Sequence, residues 1–120
     1  MLEKVNLAQK FALFAETWRP RLLGEVNDAA VKLAKLRGEF VWHVHEAEDE
    51  LFLVVKGRLT IRLRDGDVCL EPGELLIVPH GVEHLPVAKG EVQVLVFEPK
   101  STLNTGNVVN ERTVREIEPI

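Results

Sequence analysis

The chain has 120 residues, 46% of them hydrophobic and 28% charged, with a formal net charge of −4. That length serves one domain and is short for two independent cores. The mixed, slightly acidic balance lacks the concentrated basic face of a nucleic-acid binder, and a single cysteine, Cys69, excludes both an internal disulfide and a paired-cysteine zinc knuckle.

The N-terminus, MLEKVNLAQKF, carries Glu3 and Lys4 where a secretory signal needs an unbroken apolar stretch. No apolar run approaches the ~18 residues of a membrane span, so a cytoplasmic protein with no membrane contact is expected. Within residues 1–20, Leu7, Phe11, Phe14 and Trp18 fall on one helical stripe. The spacing predicts a helix over residues 5–18, capped by Asn6 and stopped by Pro20, with the stripe as packing surface.

From Arg21 to about residue 100 the rhythm changes. Turn signals recur at Asn27-Asp28, Arg37-Gly38, Lys56-Gly57, Asp65-Gly66, Pro72-Gly73, His80-Gly81 and Lys89-Gly90. Between them lie short β-branched or alternating stretches at residues 31–33, 40–42, 51–55, 59–63, 75–78 and 92–97. Regular short strands with such turns predict an all-β sandwich or barrel. Asp65-Gly66 suits the centre of a two-residue hairpin with positive φ at both positions, and Pro72-Gly73 suits a type II turn. Cys69 is expected to be a buried thiol, the common state of free cysteine. Arg58, Arg62 and Arg64 alternate with Leu59, Ile61 and Leu63 and read as a solvated strand face. Residues 101–120 are polar with scattered Val108, Val109, Val114 and Ile117, an arm that either lies outside the barrel or packs on a neighbouring subunit.

Three of the four histidines and one glutamate stand at informative spacings. His43 and His45 are two apart, and on a strand such residues share a face with Cα atoms about 6.5–7 Å apart. Two imidazoles so placed can converge on one ion at bonds of roughly 2.0–2.1 Å, while Trp42 and Val44 face the other way. Glu50 opens the next strand after a short loop, with Phe52 and Val54 on its face. His84 follows Gly81 at the start of another strand and would complete a set of three histidines and one carboxylate. Taken singly these features are weak. The acidic run from Glu46 to Glu50 also reads as a solvated loop, and His80, in a Pro-His-Gly turn, reads as an ordinary exposed residue.

Their combination resembles a known family. Gly38-Glu-Phe-Val-Trp-His43-Val-His45, four residues, Glu50, six residues and Gly57 resemble the first conserved motif of the cupin superfamily. Gly73, five residues, Pro79-His-Gly81, two residues and His84 resemble its second, and fifteen residues separate Gly57 from Gly73. Gly38 stands one residue nearer His43 than is usual, and Ala88 occupies a position commonly held by asparagine. The resemblance implies one small cupin domain over residues 1–120, a double-stranded β-helix (jelly-roll) barrel over 21–100 behind a short N-terminal helix. It also implies His43, His45, Glu50 and His84 as ligands of one divalent transition metal: Mn, Fe, Co, Ni, Cu or Zn.

An octahedral ion with these ligands would keep positions for water, substrate or dioxygen. Alternation places Val41, Phe52, Val54 and Pro86 on the pocket wall, an apolar lining suited to a small organic ligand. A metal-dependent oxygenase or isomerase is therefore expected, with a non-catalytic binding or sensing module and a structural metal barrel as the other readings. Trp18, Trp42, Leu51, Leu53 and Val55 exceed what one barrel can cover, which predicts a homodimer.

Overall fold

Asn6 opens the helix α1, its side-chain oxygen accepting the Gln9 N–H at 3.0 Å. The computed structural model describes residues 2–120, and in it α1 spans only Leu7–Phe11, not the predicted stretch to Trp18. The reason is tertiary. Phe11 and Phe14 close over Leu33 in one apolar cluster, whereas Trp18 belongs to the barrel core. Trp18 adopts φ 61°, its backbone N–H donating to the Lys35 carbonyl and its indole N–H to the Arg37 carbonyl, each at 2.8 Å. A helix this short has little cooperative stability to resist those contacts.

The strands are β1 (Arg21–Val26), β2 (Ala29–Glu39), β3 (Glu50–Lys56), β4 (Leu59–Leu63), β5 (Gly66–Leu70), β6 (Leu75–Val78), β7 (His84–Pro99) and β8 (Glu118–Pro119). The 16-residue β7 organises them. It pairs with β2 along one side, and on the other with β4 at its start and β3 at its end. β5 extends β4 and β6 extends β3, so the rolled sheet forms the expected all-β jelly-roll barrel. No helix among the described residues is long and apolar enough to cross a membrane.

Three turn expectations shift. Arg37-Gly38 lies within β2, Gly38 at φ 83° where the register slips against β7, and β7 runs through Lys89-Gly90, which fall among the extra residues of the bulge at that slip. In the β4–β5 hairpin Leu63 pairs with Gly66, so Arg64-Asp65 form the loop. Only Gly66 there has positive φ, in keeping with glycine closing a type I turn. Cys69 is exposed, because alternation on the edge strand β5 turns Leu70 inward instead.

Alternation fills the interior from β2, β3 and β7 with Ala34, Leu36, Phe52, Val54, Val92, Val94 and Val96. Several apolar residues expected to need a partner subunit are covered within the chain. Trp18 is 8% exposed in the core, Val55 packs under the N-terminal segment, and the Arg64 guanidinium lies 3.7 Å over the Trp42 ring. Arg58, Arg62 and Arg64 are exposed and paired with Glu71, Asp67 and Glu83. The C-terminal arm folds back on its own barrel, with Thr102 and Thr105 buried. Asn107 bonds Val44 in both directions, N–H to carbonyl at 3.1 Å and side-chain oxygen from N–H at 2.9 Å.

Candidate metal centre

After β2 the chain continues as an irregular segment, so His43 and His45 do not share a regular strand as predicted. His43 alone makes a β-bridge, with His84, the two backbones exchanging bonds of 3.1 and 3.0 Å. The two-residue spacing nevertheless turns both imidazoles inward, and both are buried. Val44 between them is buried as well, under the C-terminal arm. Glu50 opens β3 with its side chain on the inward face of Phe52 and Val54. His84 opens β7 and is wholly buried.

Each of His43, His45, Glu50 and His84 offers a ligand atom within 4.8 Å of the others. The His43 Nδ1 lies 2.9 Å from the Val41 carbonyl and the His84 Nδ1 3.0 Å from the Val82 carbonyl. A carbonyl only accepts, so each Nδ1 donates and a neutral ring turns its Nε2 lone pair toward the cluster. His84 Nε2 and His45 Nε2 stand 3.2 and 3.4 Å from the same Glu50 Oε1. The ring nitrogens of His45 have no hydrogen-bond partner despite burial. Acceptor atoms facing one another without donors between them are costly in a dry interior, and a cation relieves that cost. The residues fit a divalent ion.

Electrostatics agree with that fit. Burial, assisted by the nearby His84, pushes the His43 imidazole down to about 4, against the opposing pull of the Val41 carbonyl. The ring is therefore neutral at physiological pH, as a metal ligand must be. Burial acts to raise the Glu50 carboxyl, but the close approach of the His45, His84 and Glu98 side chains outweighs it and holds Glu50 well below its usual range. Glu98 shifts the other way. Burial and the adjoining Glu50 charge push it up, opposed by Lys32.

Phe52 and Pro86 line a cavity of about 50 Å³ beside His43 and Glu50, room for roughly three or four waters at about 10–15 Å³ each. Val41 and Val54 are not among its lining residues. Val41 contributes its carbonyl to His43, and Val54 is packed into the core. The exposed His80 pairs with Asp49 at 2.8 Å.

Sequence reasoning missed Lys32, Glu98, Trp18, Phe40 and Asn104, all of which line the same cavity. Lys32 lies in phase with Ala30, Ala34 and Leu36, and Glu98 with Val92, Val94 and Val96. A charge at the inward phase of an apolar strand was the signal available for that pair.

The cupin domain family model matches residues 31–98. A cupin-2 domain containing protein from Shewanella frigidimarina is 46% identical, with a TM-score of 0.79 over 80% of this chain and 94% of that one. A protein from Neisseria meningitidis is 28% identical, with a TM-score of 0.74 over 82% of this chain and all (100%) of that one. The uncharacterised protein YdbB of Bacillus subtilis is 41% identical over 63 residues, 52% of this chain and only 56% of that curated relative's length.

Proposed function

This chain belongs to the cupin domain family, and from that membership we propose that it is a metal-dependent enzyme, of oxygenase or isomerase type, acting on a small organic molecule. The observation that carries the reading is the convergence of four buried donor side chains within 4.8 Å of one another. His43, His45, Glu50 and His84 would hold one divalent transition ion. When bound, such an ion supplies Lewis-acid polarisation of a substrate oxygen and acidification of a coordinated water.

The remaining work falls to the chain. The Val41 and Val82 carbonyls fix the tautomers of His43 and His84, which keeps both Nε2 atoms available. Phe52, Pro86, Val94 and Val96 give the adjoining cavity apolar walls that limit bulk water and suit a small organic ligand. A non-catalytic module that uses the ion only to hold a ligand is the alternative. Oxygen uptake or turnover on a small chelating diketone separates the two.

Self-association into a homodimer belongs to the same proposal. Its support is the exposed pair Leu75 and Ile77 on β6, Ile77 sharing a surface recess with the exposed Val26.

The test is elemental mass spectrometry of the untagged chain purified without chelator. One Mn, Fe, Co, Ni, Cu or Zn per chain is expected, lost in both His84→Ala and Glu50→Ala. Folded wild-type protein that takes up no metal at pH 7.5, even on reconstitution, would overturn the reading.

A further inference from the structure

The cavity beside the metal cluster has a second polar wall that the metal reading does not use. Lys32 projects into it from β2 and is 2% exposed. Its Nζ donates to Glu98 Oε2 at 2.7 Å, the one hydrogen bond the ammonium makes among the described residues. Lysine has three N–H donors and no acceptor, so two donors remain for whatever occupies the cavity.

The strand registers explain the placement. Ala30 pairs with Glu98 across β2 and β7, and Lys32 pairs with Val96, which pairs in turn with Phe52 on β3. Leu51 pairs with Phe97, which brings Glu50 alongside Glu98 on the inward face. Lys32, Glu98 and Glu50 thus form a contiguous row ending at the metal cluster.

Charge balance then says what the cavity takes. The ionisable side chains lining it are Lys32, His43, Glu50 and Glu98. A divalent ion and the lysine ammonium against these carboxylates leave at least one positive charge uncompensated, whether or not Glu98 keeps its proton. A net charge buried without a counter-charge is costly, and an anionic ligand removes it. A buried lysine–glutamate pair also contributes little net stability by comparison with an apolar pair, so stability alone does not account for keeping it here.

We propose that the barrel cavity binds a small organic carboxylate, with one end of the molecule at the metal cluster and a carboxylate oxygen on the free donors of Lys32. The inference rests on the metal reading for the first contact and on this chain's own lysine for the second. The apolar walls formed by Phe52, Val94 and Pro86 accept a short aliphatic or 2-oxo body between the two poles.

The test uses the Co(II)-loaded full chain, with the visible absorption of the ion as the reporter, pyruvate as the probe and its neutral isostere pyruvamide as the control. Wild type is expected to bind pyruvate at least 10-fold more tightly than pyruvamide. Lys32→Met should erase that preference while keeping the metal stoichiometry. The double variant Lys32→Met/Glu98→Gln, which leaves no unpaired charge from the pair, serves if the single variant fails to fold. Equal binding of the two probes by wild type, or an undiminished preference in either folded variant, would overturn the proposal. If wild type takes up no cobalt, the metal reading itself fails. Thermal shift of the metal-free chain then decides about Lys32, since a pyruvate preference lost in the variant supports its role and no preference rejects it.

Discussion

Burial holds the His43 imidazole near 4 against an ordinary value of 6.5, the neighbouring His84 adding to the effect. Between those values the unfolded chain binds a proton that the folded chain refuses, so metal-free stability rises with pH across the window. The contribution is complete above pH 6.5 and is lost as pH falls toward 4. A shift of that size corresponds to about 3 kcal/mol. Urea denaturation of chelator-treated protein should therefore show a fall in stability between pH 7 and pH 4.5, much reduced in His43→Gln. Identical pH dependence in the two proteins would remove His43 as its source. At this scale the site was largely legible, because spacing drew attention to His43, His45, Glu50 and His84 and the resemblance to the cupin motifs joined them into one ligand set. Lys32 and Glu98 were hidden by the rule that charged residues face water. That rule fails where two charges from different strands can pair inside.

The segment from Phe40 to Asp49 carries two of the proposed ligands but little ladder bonding of its own, so its shape depends on what packs against it. The C-terminal arm supplies that support. Gly106, at φ 57°, lies so close that an added Cβ would collide with the Val44 carbonyl and approach His43 Cδ2 at 3.2 Å. Gly106→Ala is accordingly expected to push the arm off residues 43–45, at a cost of about 1–3 kcal/mol in stability. Chelator competition should show weaker metal binding alongside a lowered melting temperature. Unchanged metal affinity in the folded variant would mean that the arm covers the ligand segment without positioning it. The sequence left two placements open for this arm, and its buried Thr102 and Thr105 place it on its own barrel. Threonine spacing gives no warning of such burial. The helix prediction failed for a related reason, since Trp18 keeps the period of Phe11 and Phe14 yet is drawn away by carbonyls of β2.

For the whole molecule, the unresolved balance lies on the outside of β6. Leu75 and Ile77 are 52% and 56% exposed, and Val26 is 53% exposed. Ile77 and Val26 border a surface recess with Leu51 and Phe97. Apolar side chains grouped in this way favour burial against another surface, and a self-complementary two-fold contact is the commonest solution. Sedimentation velocity at micromolar concentration is expected to give a dimer for wild type and a monomer for Ile77→Asp, with metal content equal in both. A monomeric wild type would reject the dimer and leave the barrel and its site untouched.

What the sequence by itself determined is the barrel and its proposed ligand set. Period-two alternation, regularly spaced turns and the spacing of His43, His45, Glu50 and His84 are local properties, readable without knowing which strands are neighbours. The tertiary structure alone decided what stands beside that set. Lys32 and Glu98 are 66 residues apart, the arm returns from the far end of the chain to Val44, and Trp18 enters the core rather than the helix face. Each depends on strand register and on competition among distant partners for the same carbonyls and the same apolar surface, energies that no single stretch of sequence contains.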